Sequence, residues 1–182
     1  MFELQNDRTE LLEKIEDLYG RKRYAELRDL LLPMEAADIA SLCRDLDEKV
    51  PVVFRLLPKE LAAEVFVELD SDDQELLIHG FSNTELKEVL DELYLDDAAD
   101  IVEEMPAGVV KRILRHCDPE TRKSINELLK YPEDSAGSIM TTEFVDLKET
   151  MTVEDALKRI RRTGPDKETI NICYVIDDRR HL

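Results

Sequence analysis

The sequence contains no tryptophan, only five glycines and three cysteines, and no apolar run of transmembrane length. So few glycines argue against a β-rich fold or a fold built on a Gly-rich nucleotide loop. Cys43, Cys117 and Cys173 are widely spaced and form no CxxC pair, which indicates reduced thiols in a cytosolic protein. Without a run of about 18 apolar residues or a signal peptide, we expect this segment not to insert into a membrane.

Acidic residues also greatly outnumber basic ones. The chain has 25 Lys and Arg residues against 43 Asp and Glu residues, so its formal net charge is −18. Phosphate contacts need Lys and Arg, and so does attraction to anionic lipid. We therefore expect no nucleic-acid partner and no direct binding to an anionic membrane surface.

Most of the negative charge lies in one acidic stretch, residues 60–104, which contains sixteen carboxylates, one Lys and no Arg. Within it, residues 95–105 read as an amphipathic helix that places Asp96 and Asp100 one turn apart, opposite the apolar face. Like charges at this spacing cost roughly 0.2–0.5 kcal/mol per pair. Two interpretations stay open: a solvated acidic face, or a surface whose counter-charge is a cation.

Prolines and helix-capping residues divide the chain up to Tyr131 into short segments. Ser71 and Ser82 each begin a capping-box pattern, and Pro33, Pro58 and Pro106 follow apolar residues where each can begin a helix. After two helices within 3–32, we predict helices at 34–46, 48–57, 58–69, 71–80, 82–93, 95–105, 106–116 and 118–130. A weak Ala-acid-β-branched repeat favours a right-handed, α-solenoid-like superhelix. A compact helical bundle is the alternative.

The composition changes after Tyr131. Residues 143–147 alternate as a strand, a helix follows from Thr152 to Arg162, and residues 170–176 form a mostly apolar strand. Strand, helix and strand begin an α/β unit but do not complete one, so we expect this chain to be a piece of a longer protein. We predict two domains, 1–131 and 132–182, with the boundary within 131–140.

No catalytic motif accompanies these carboxylates. The three histidines are isolated in the sequence, and two of them, His79 and His116, are expected near helix C-termini. There is no GxSxG, P-loop or HExxH pattern, so we predict that the chain is not an enzyme. Carboxylate oxygens do suit a hard divalent cation, and Mg²⁺ needs only one or two of them because it keeps several waters.

The run from Tyr131 to Thr141, YPEDSAGSIMT, gives the first specific pattern. Together with residues 151–157 and 174–177, it resembles the junction between the N domain and the CBS domain in the MgtE family of magnesium transporters. The upstream runs at 57–65 and 95–100 are similar to that family's N domain. The helical repeats alone are also similar to those of the flagellar switch protein.

The resemblance implies a cytosolic helical N domain, a CBS pair, a connecting helix and a membrane pore domain that forms a homodimer. It implies that Mg²⁺ binds between these parts, neutralises their repulsion and stabilises the closed state. Glu64, Asp96 and Asp100 match the acids of the N domain that contact Mg²⁺ in the family. The second CBS motif, the connecting helix and the pore are absent from this sequence.

Two hypotheses from different classes therefore stand. The first is the cytosolic regulatory region of a magnesium transporter or channel, at the cytoplasmic face of the membrane, with Mg²⁺ as its ligand and the rest of the same chain as its partner. The second is an acidic helical-repeat scaffold that binds a basic protein without sensing metal. A sensor responds to Mg²⁺ specifically, whereas a scaffold responds mainly to ionic strength.

Overall fold

The computed structural model describes residues 2–132 and 135–182, and these residues are mainly helical. They form eleven α-helices, two β-strands and two short 3-10 turns at Asp47–Lys49 and Gly164–Asp166. In chain order the elements are α1 (Phe2–Gly20), α2 (Tyr24–Leu31), α3 (Ala36–Cys43), α4 (Val50–Leu56), α5 (Lys59–Glu68), α6 (Ser71–Gly80), α7 (Asn83–Leu90), α8 (Leu95–Glu104), α9 (Ala107–His116), α10 (Pro119–Leu128), β1 (Phe144–Lys148), α11 (Val153–Thr163) and β2 (Thr169–Ile176). The predicted fold class, mainly helical with an α/β segment at the end, is confirmed.

The helices are short because each is bounded by residues that cannot continue it or that cap its end. Ser82 forms the predicted capping box: its hydroxyl accepts the Glu85 N–H at 3.2 Å, and the Glu85 carboxylate accepts the Ser82 N–H at 2.7 Å. Pro58 and Pro106 have extended backbones and stand one residue before α5 and α9, rather than inside their first turns as predicted. Pro33 lies in the turn that precedes α3.

The prediction that Ser71 caps α6 is wrong. Asp70 is the N-cap, with an extended backbone and a carboxylate that accepts the Asp73 N–H at 3.1 Å. Both residue types are good caps, so spacing alone does not choose between them. Burial of Leu69 fixes where the chain enters the helix, and Ser71 instead hydrogen-bonds to Glu104.

Contacts divide the chain into two compact units. Unit 1 comprises residues up to Leu93 together with Glu104–Asp118, and unit 2 comprises Tyr94–Glu103 together with Pro119–Leu182. Helix α8 therefore belongs to the same unit as the strands. The boundary expected within 131–140 stays a prediction, and two of its residues, Glu133 and Asp134, lie outside the described residues.

Three phenylalanine rings form the centre of unit 1. Phe54, Phe66 and Phe81 are all buried, and their ring centroids lie 5.4–6.3 Å apart. Burying a side chain of this size contributes about 1.5–3 kcal/mol. The buried Gln74 side chain donates to the Phe66 carbonyl at 2.9 Å, so its amide nitrogen is not left without a partner.

Unit 2 ends in the predicted strand-helix-strand arrangement. β1 and β2 are parallel, with Leu147 opposite Val175, and α11 connects them. Arg159 on α11 donates to the Asp146 carbonyl at 2.7 Å and pairs with the Asp146 carboxylate. The Arg159 guanidinium lowers the pKa of Asp146 and holds α11 against β1.

Two of the three cysteines lie in the core, as expected for reduced structural thiols. Cys43 and Cys117 are buried, Cys173 is half-buried, and all three are reduced thiols. Burial raises the pKa of Cys43 to about 12, so its thiol stays protonated at neutral pH. Within the described residues, none of the helices is both long enough and apolar enough to span a membrane.

Candidate functional site

Helix α8 has the highest density of acidic residues in the chain and is amphipathic, as predicted. Its apolar residues Ala98, Ala99, Ile101 and Val102 are buried, which turns the carboxylates to the other side. Asp96 and Asp97 lie in its first turn and are half-buried, whereas Asp100 is exposed. Negative charge near a helix N-terminus is favourable, so the first turn tolerates two adjacent carboxylates.

Two further carboxylates, next to the strands, act on the first turn of α8. Glu143 immediately precedes β1, and Glu168 immediately precedes β2. Because the strands are parallel and Phe144 pairs with Thr169, the two glutamates stand at the same edge of the sheet. Both act electrostatically on the first turn of α8. We call Asp96, Asp97, Asp100, Glu143 and Glu168 the acidic cluster.

Ionisation of the acidic cluster is opposed by burial and by mutual repulsion. The pKa of Asp97 is raised to about 6, first by burial and then by the charges of Asp96, Glu168, Asp100 and Glu143. The pKa of Asp96 is also raised, by burial and by Glu168 and Glu143, while backbone N–H groups partly offset the increase. At neutral pH the cluster therefore holds negative charge that the surrounding protein does not fully neutralise.

One atom of the cluster also lacks a partner. Asp96 Oδ1 is buried from solvent and receives no hydrogen bond. A buried carboxylate oxygen without a partner costs about 1–3 kcal/mol or more, because its hydration is lost and nothing replaces it. A cation or a cation-bound water would supply the missing partner, so this atom suits a ligand that brings positive charge.

The three acids predicted to contact metal are divided between the units. Asp96 and Asp100 lie one turn apart on α8 in unit 2, whereas Glu64 is exposed on α5 in unit 1. Throughout residues 2–132 and 135–182, no group of three or more His, Cys, Asp or Glu side chains is arranged to hold a metal ion. A Mg²⁺ ion at these acids would therefore have to keep several of its waters and contact only one or two carboxylates.

Three members of the acidic cluster, Asp97, Glu143 and Glu168, are not identified by the sequence patterns. The predicted ligands do not include Asp97, Glu143 lies inside the predicted strand 143–147, and Glu168 lies between the predicted elements. A signal for the glutamates is present, since each lies within two residues of the start of a predicted strand of one parallel unit. Parallel strands begin at one edge, so this pattern predicts two carboxylates close together.

Replacing Asp97 by Asn should stabilise the metal-free chain at neutral pH. The raised pKa means that the folded state binds the proton more tightly than the unfolded state does. The ionised form therefore destabilises the fold, fully above pH 6 and not at all below about pH 4. After solvent screening we expect a gain of up to about 1 kcal/mol in the free energy of unfolding at pH 7. Urea unfolding at both pH values measures it.

The matched control for Asp97 is Glu103→Gln, which removes one exposed charge from the same helix. Its effect should stay within about 0.5 kcal/mol at either pH. An Asp97→Asn variant that gains nothing at pH 7, or gains equally at pH 4, would show that Asp97 is not strained by its neighbours.

Comparison with known proteins finds one family over most of the helical region. The family described as the MgtE intracellular N domain matches residues 34–134. The magnesium transporter MgtE of Thermus thermophilus is 40% identical over 161 residues, covering 86% of this chain and 36% of the transporter. The MgtE of Bacillus subtilis is 25% identical over 174 residues, covering 95% of this chain and 39% of its own length. The chain thus spans well under half of either relative.

Two solved structures share the fold. A crystal structure of the cytosolic domain of the Mg²⁺ channel MgtE in complex with ATP matches with a TM-score of 0.85 and 36% identity, covering 94% of this chain and 71% of that one. A crystal structure of the soluble part of a magnesium transporter matches with a TM-score of 0.81 and 26% identity, covering 96% and 70%. Both matches extend from the helices through the strand-helix-strand segment.

Proposed function

The chain belongs to the MgtE family, and we propose that it is the cytosolic regulatory region of a magnesium transporter or channel. In this proposal Glu64, Asp96 and Asp100 bind intracellular Mg²⁺, and their occupancy stabilises the closed state of the pore. The partners are Mg²⁺ itself and the rest of the same chain: the CBS pair, the connecting helix and the pore domain, assembled as a homodimer. The segment works at the cytoplasmic face of the membrane.

The unpartnered Asp96 Oδ1 is the observation that carries the proposal. A merely solvated acidic face would keep its carboxylate oxygens in water, where hydration stabilises them. This oxygen is instead buried, and the charges of Glu168 and Glu143 oppose ionisation of the Asp96 carboxyl group. Repulsion between these carboxylates thus destabilises the folded chain, and a bound divalent cation would offset that repulsion.

Mg²⁺ suits this arrangement better than a softer or larger ion. It is a hard cation that prefers oxygen ligands, keeps several waters and needs few direct carboxylate contacts. The cluster offers carboxylates only, without the Cys or His ligands that Zn²⁺ prefers. An open, hydrated site would also give the weak affinity that sensing of intracellular Mg²⁺ requires.

Thermal unfolding of the 182-residue chain should therefore respond to Mg²⁺ beyond ionic strength. A ligand present at about ten times its dissociation constant stabilises the folded state by about 1.4 kcal/mol. For a chain of this length that corresponds to a rise of about 3–5 °C in Tm. We expect this rise with about 10 mM MgCl₂ over about 30 mM NaCl, which has equal ionic strength.

The rival function, an acidic scaffold for a basic protein, predicts a different result. A scaffold gains from screening alone, so MgCl₂ and NaCl of equal ionic strength should shift its Tm equally. Equal shifts would contradict the sensor and favour the scaffold. A larger shift with MgCl₂ that is also lost in cluster variants would support the sensor.

A further inference from the structure

Helix α8 receives its N-terminal cap from a residue 48 positions away. The Glu143 carboxylate accepts the Leu95 N–H at 2.7 Å. Helices normally cap these first N–H groups with a short polar side chain from the residue just before them. Tyr94, which precedes α8, has no such side chain. The start of the acidic helix is thus held from outside the helix, by the residue just before β1.

The backbone of Glu143 is itself fixed to its surroundings. Its N–H donates to Thr141 Oγ1 at 3.0 Å, and its carbonyl accepts the Thr169 N–H at 3.5 Å, at the start of β2. The side chain bonds to α8, while the main chain continues into β1 and is hydrogen-bonded to the start of β2. Glu143 is therefore a direct hydrogen-bonded link between the acidic helix and the strand-helix-strand segment.

We propose that Glu143 is a positioning residue, whose carboxylate holds the N-terminus of α8 on the strand-helix-strand segment and thereby sets where Asp96 and Asp97 stand. This inference rests on the proposed function in one respect, that the positioned acids bind Mg²⁺. The contact itself does not depend on it. Holding the first amide of α8 in place holds the first turn of the helix, and Asp96 and Asp97 both lie in that turn.

The same carboxylate acts on α8 in two opposite ways. It attracts the Leu95 N–H and the positive end of the helix dipole. It also repels the ionised Asp96 and Asp97, whose neighbourhood it makes more negative. The link is therefore weaker when the cluster is fully ionised and stronger when a cation offsets the repulsion. Glu143 thus makes the docking of α8 sensitive to divalent cations.

Two substitutions separate these effects. Glu143→Gln keeps an oxygen that can accept the Leu95 N–H but removes the charge. Glu143→Asp keeps the charge but is one methylene shorter, so it cannot reach the amide. Glu143→Ala removes both. Glu149→Gln, at an exposed position after β1, is the matched control because it removes a charge from the same segment without touching α8.

Amide hydrogen exchange at Leu95 tests the positioning role in the 182-residue chain without Mg²⁺. Loss of a capping hydrogen bond corresponds to about a tenfold change in the local equilibrium. We expect exchange at Leu95 to accelerate about tenfold in Glu143→Ala and Glu143→Asp. It should stay close to wild type in Glu143→Gln and Glu149→Gln. Should Glu143→Ala fail to fold, the Asp and Gln pair gives the same comparison.

Mg²⁺ titration of the same variants tests the electrostatic role. Glu143→Gln should need about threefold more Mg²⁺ than wild type for the same rise in Tm, because one charge has left the cluster. Glu149→Gln should match wild type. If Glu143 merely supported the fold, each Glu143 variant would have a lower Tm, but the Mg²⁺ concentration needed for a given rise in Tm would equal that of wild type.

The results distinguish this inference from the proposed function. Unchanged exchange at Leu95 in both Glu143→Ala and Glu143→Asp overturns the positioning role, whether or not wild type responds to Mg²⁺. Accelerated exchange in a chain that does not respond to Mg²⁺ overturns the sensor and leaves the positioning role standing.

Discussion

An Asp96→Asn, Asp100→Asn double variant should lose most of its stabilisation by Mg²⁺ while becoming no less stable in its absence. The two carboxylates lie one turn apart on α8, and Asp96 is opposed by burial and by neighbouring charge. Removing like charges at this spacing relieves repulsion of about 0.2–0.5 kcal/mol per pair. Removing ligands lowers the affinity for a cation that binds only the folded state.

The opposite signs of these two effects make the experiment informative. Ordinary damage to the fold would lower stability with and without Mg²⁺, and a solvated face would gain slightly under both conditions. Only a ligand pair is expected to gain without Mg²⁺ and lose with it. The charge-matched control is Glu10→Gln with Glu13→Gln, two exposed residues on α1 that lie outside the acidic stretch.

For the full-length protein, the proposed function predicts that the same double variant shifts the Mg²⁺ concentration at which the pore closes. Loss of about 1.4 kcal/mol of ligand binding corresponds to a tenfold change, and two ligands are removed. We expect closure to need at least about ten times more intracellular Mg²⁺ than in wild type, measured by Mg²⁺-dependent currents or by flux into vesicles. Closure at the wild-type concentration would mean that Asp96 and Asp100 are only a solvated face.

The starts of the helices from α3 to α10 could be predicted to within about two residues because local signals determine them, whereas the ends at Cys43 and Leu90 come about three residues earlier than predicted. Prolines and caps such as Ser82 act over three or four residues, and these are readable in the sequence. Where two adjacent residues could both cap, as at Asp70 and Ser71, the choice depended on burial of Leu69, which no local pattern reveals.

The acidic cluster could be predicted only in part, for a related reason. Asp96 and Asp100 are neighbours through helical periodicity, which is visible in the sequence. Glu143 and Glu168 join them through strand register and through the docking of α8, both of which depend on contacts between distant segments. The sequence therefore shows that the site is acidic, but it does not show that Glu143 and Glu168 belong to it or that Glu143 bonds to Leu95.

Arg112 is a second residue whose role is set by a distant segment. From α9 its guanidinium donates to the Phe81 carbonyl at 2.5 Å and to the Ile78 carbonyl, at the end of α6. The last carbonyls of a helix lack partners within that helix. The backbone after Gly80 turns extended at Phe81. A planar guanidinium reaches two of these oxygens at once, which a lysine ammonium does less well.

Replacing Arg112 by Met should therefore cost about 2–3 kcal/mol of unfolding free energy, the second large effect expected here. Met keeps most of the aliphatic stem, so the loss reports the two carbonyls left without a charged donor rather than a cavity. Arg112→Lys should fall between Met and wild type, because its ammonium satisfies one carbonyl well. Urea unfolding of the 182-residue chain measures all three.

Arg115, one turn further along α9 and exposed, supplies the control. Arg115→Met removes the same charge from the same helix and should change stability by no more than about 0.5 kcal/mol. If both Met variants lose the same stability, the effect comes from removing positive charge from an acidic chain, and the bridge to α6 contributes nothing. A large loss confined to Arg112→Met would mean that the C-terminal end of α6 depends on a side chain from α9 to satisfy its carbonyl groups. The Mg²⁺ response should then be unchanged in Arg112→Lys, because Arg112 is bonded to the end of α6 and belongs neither to the acidic cluster nor to the proposed ligands.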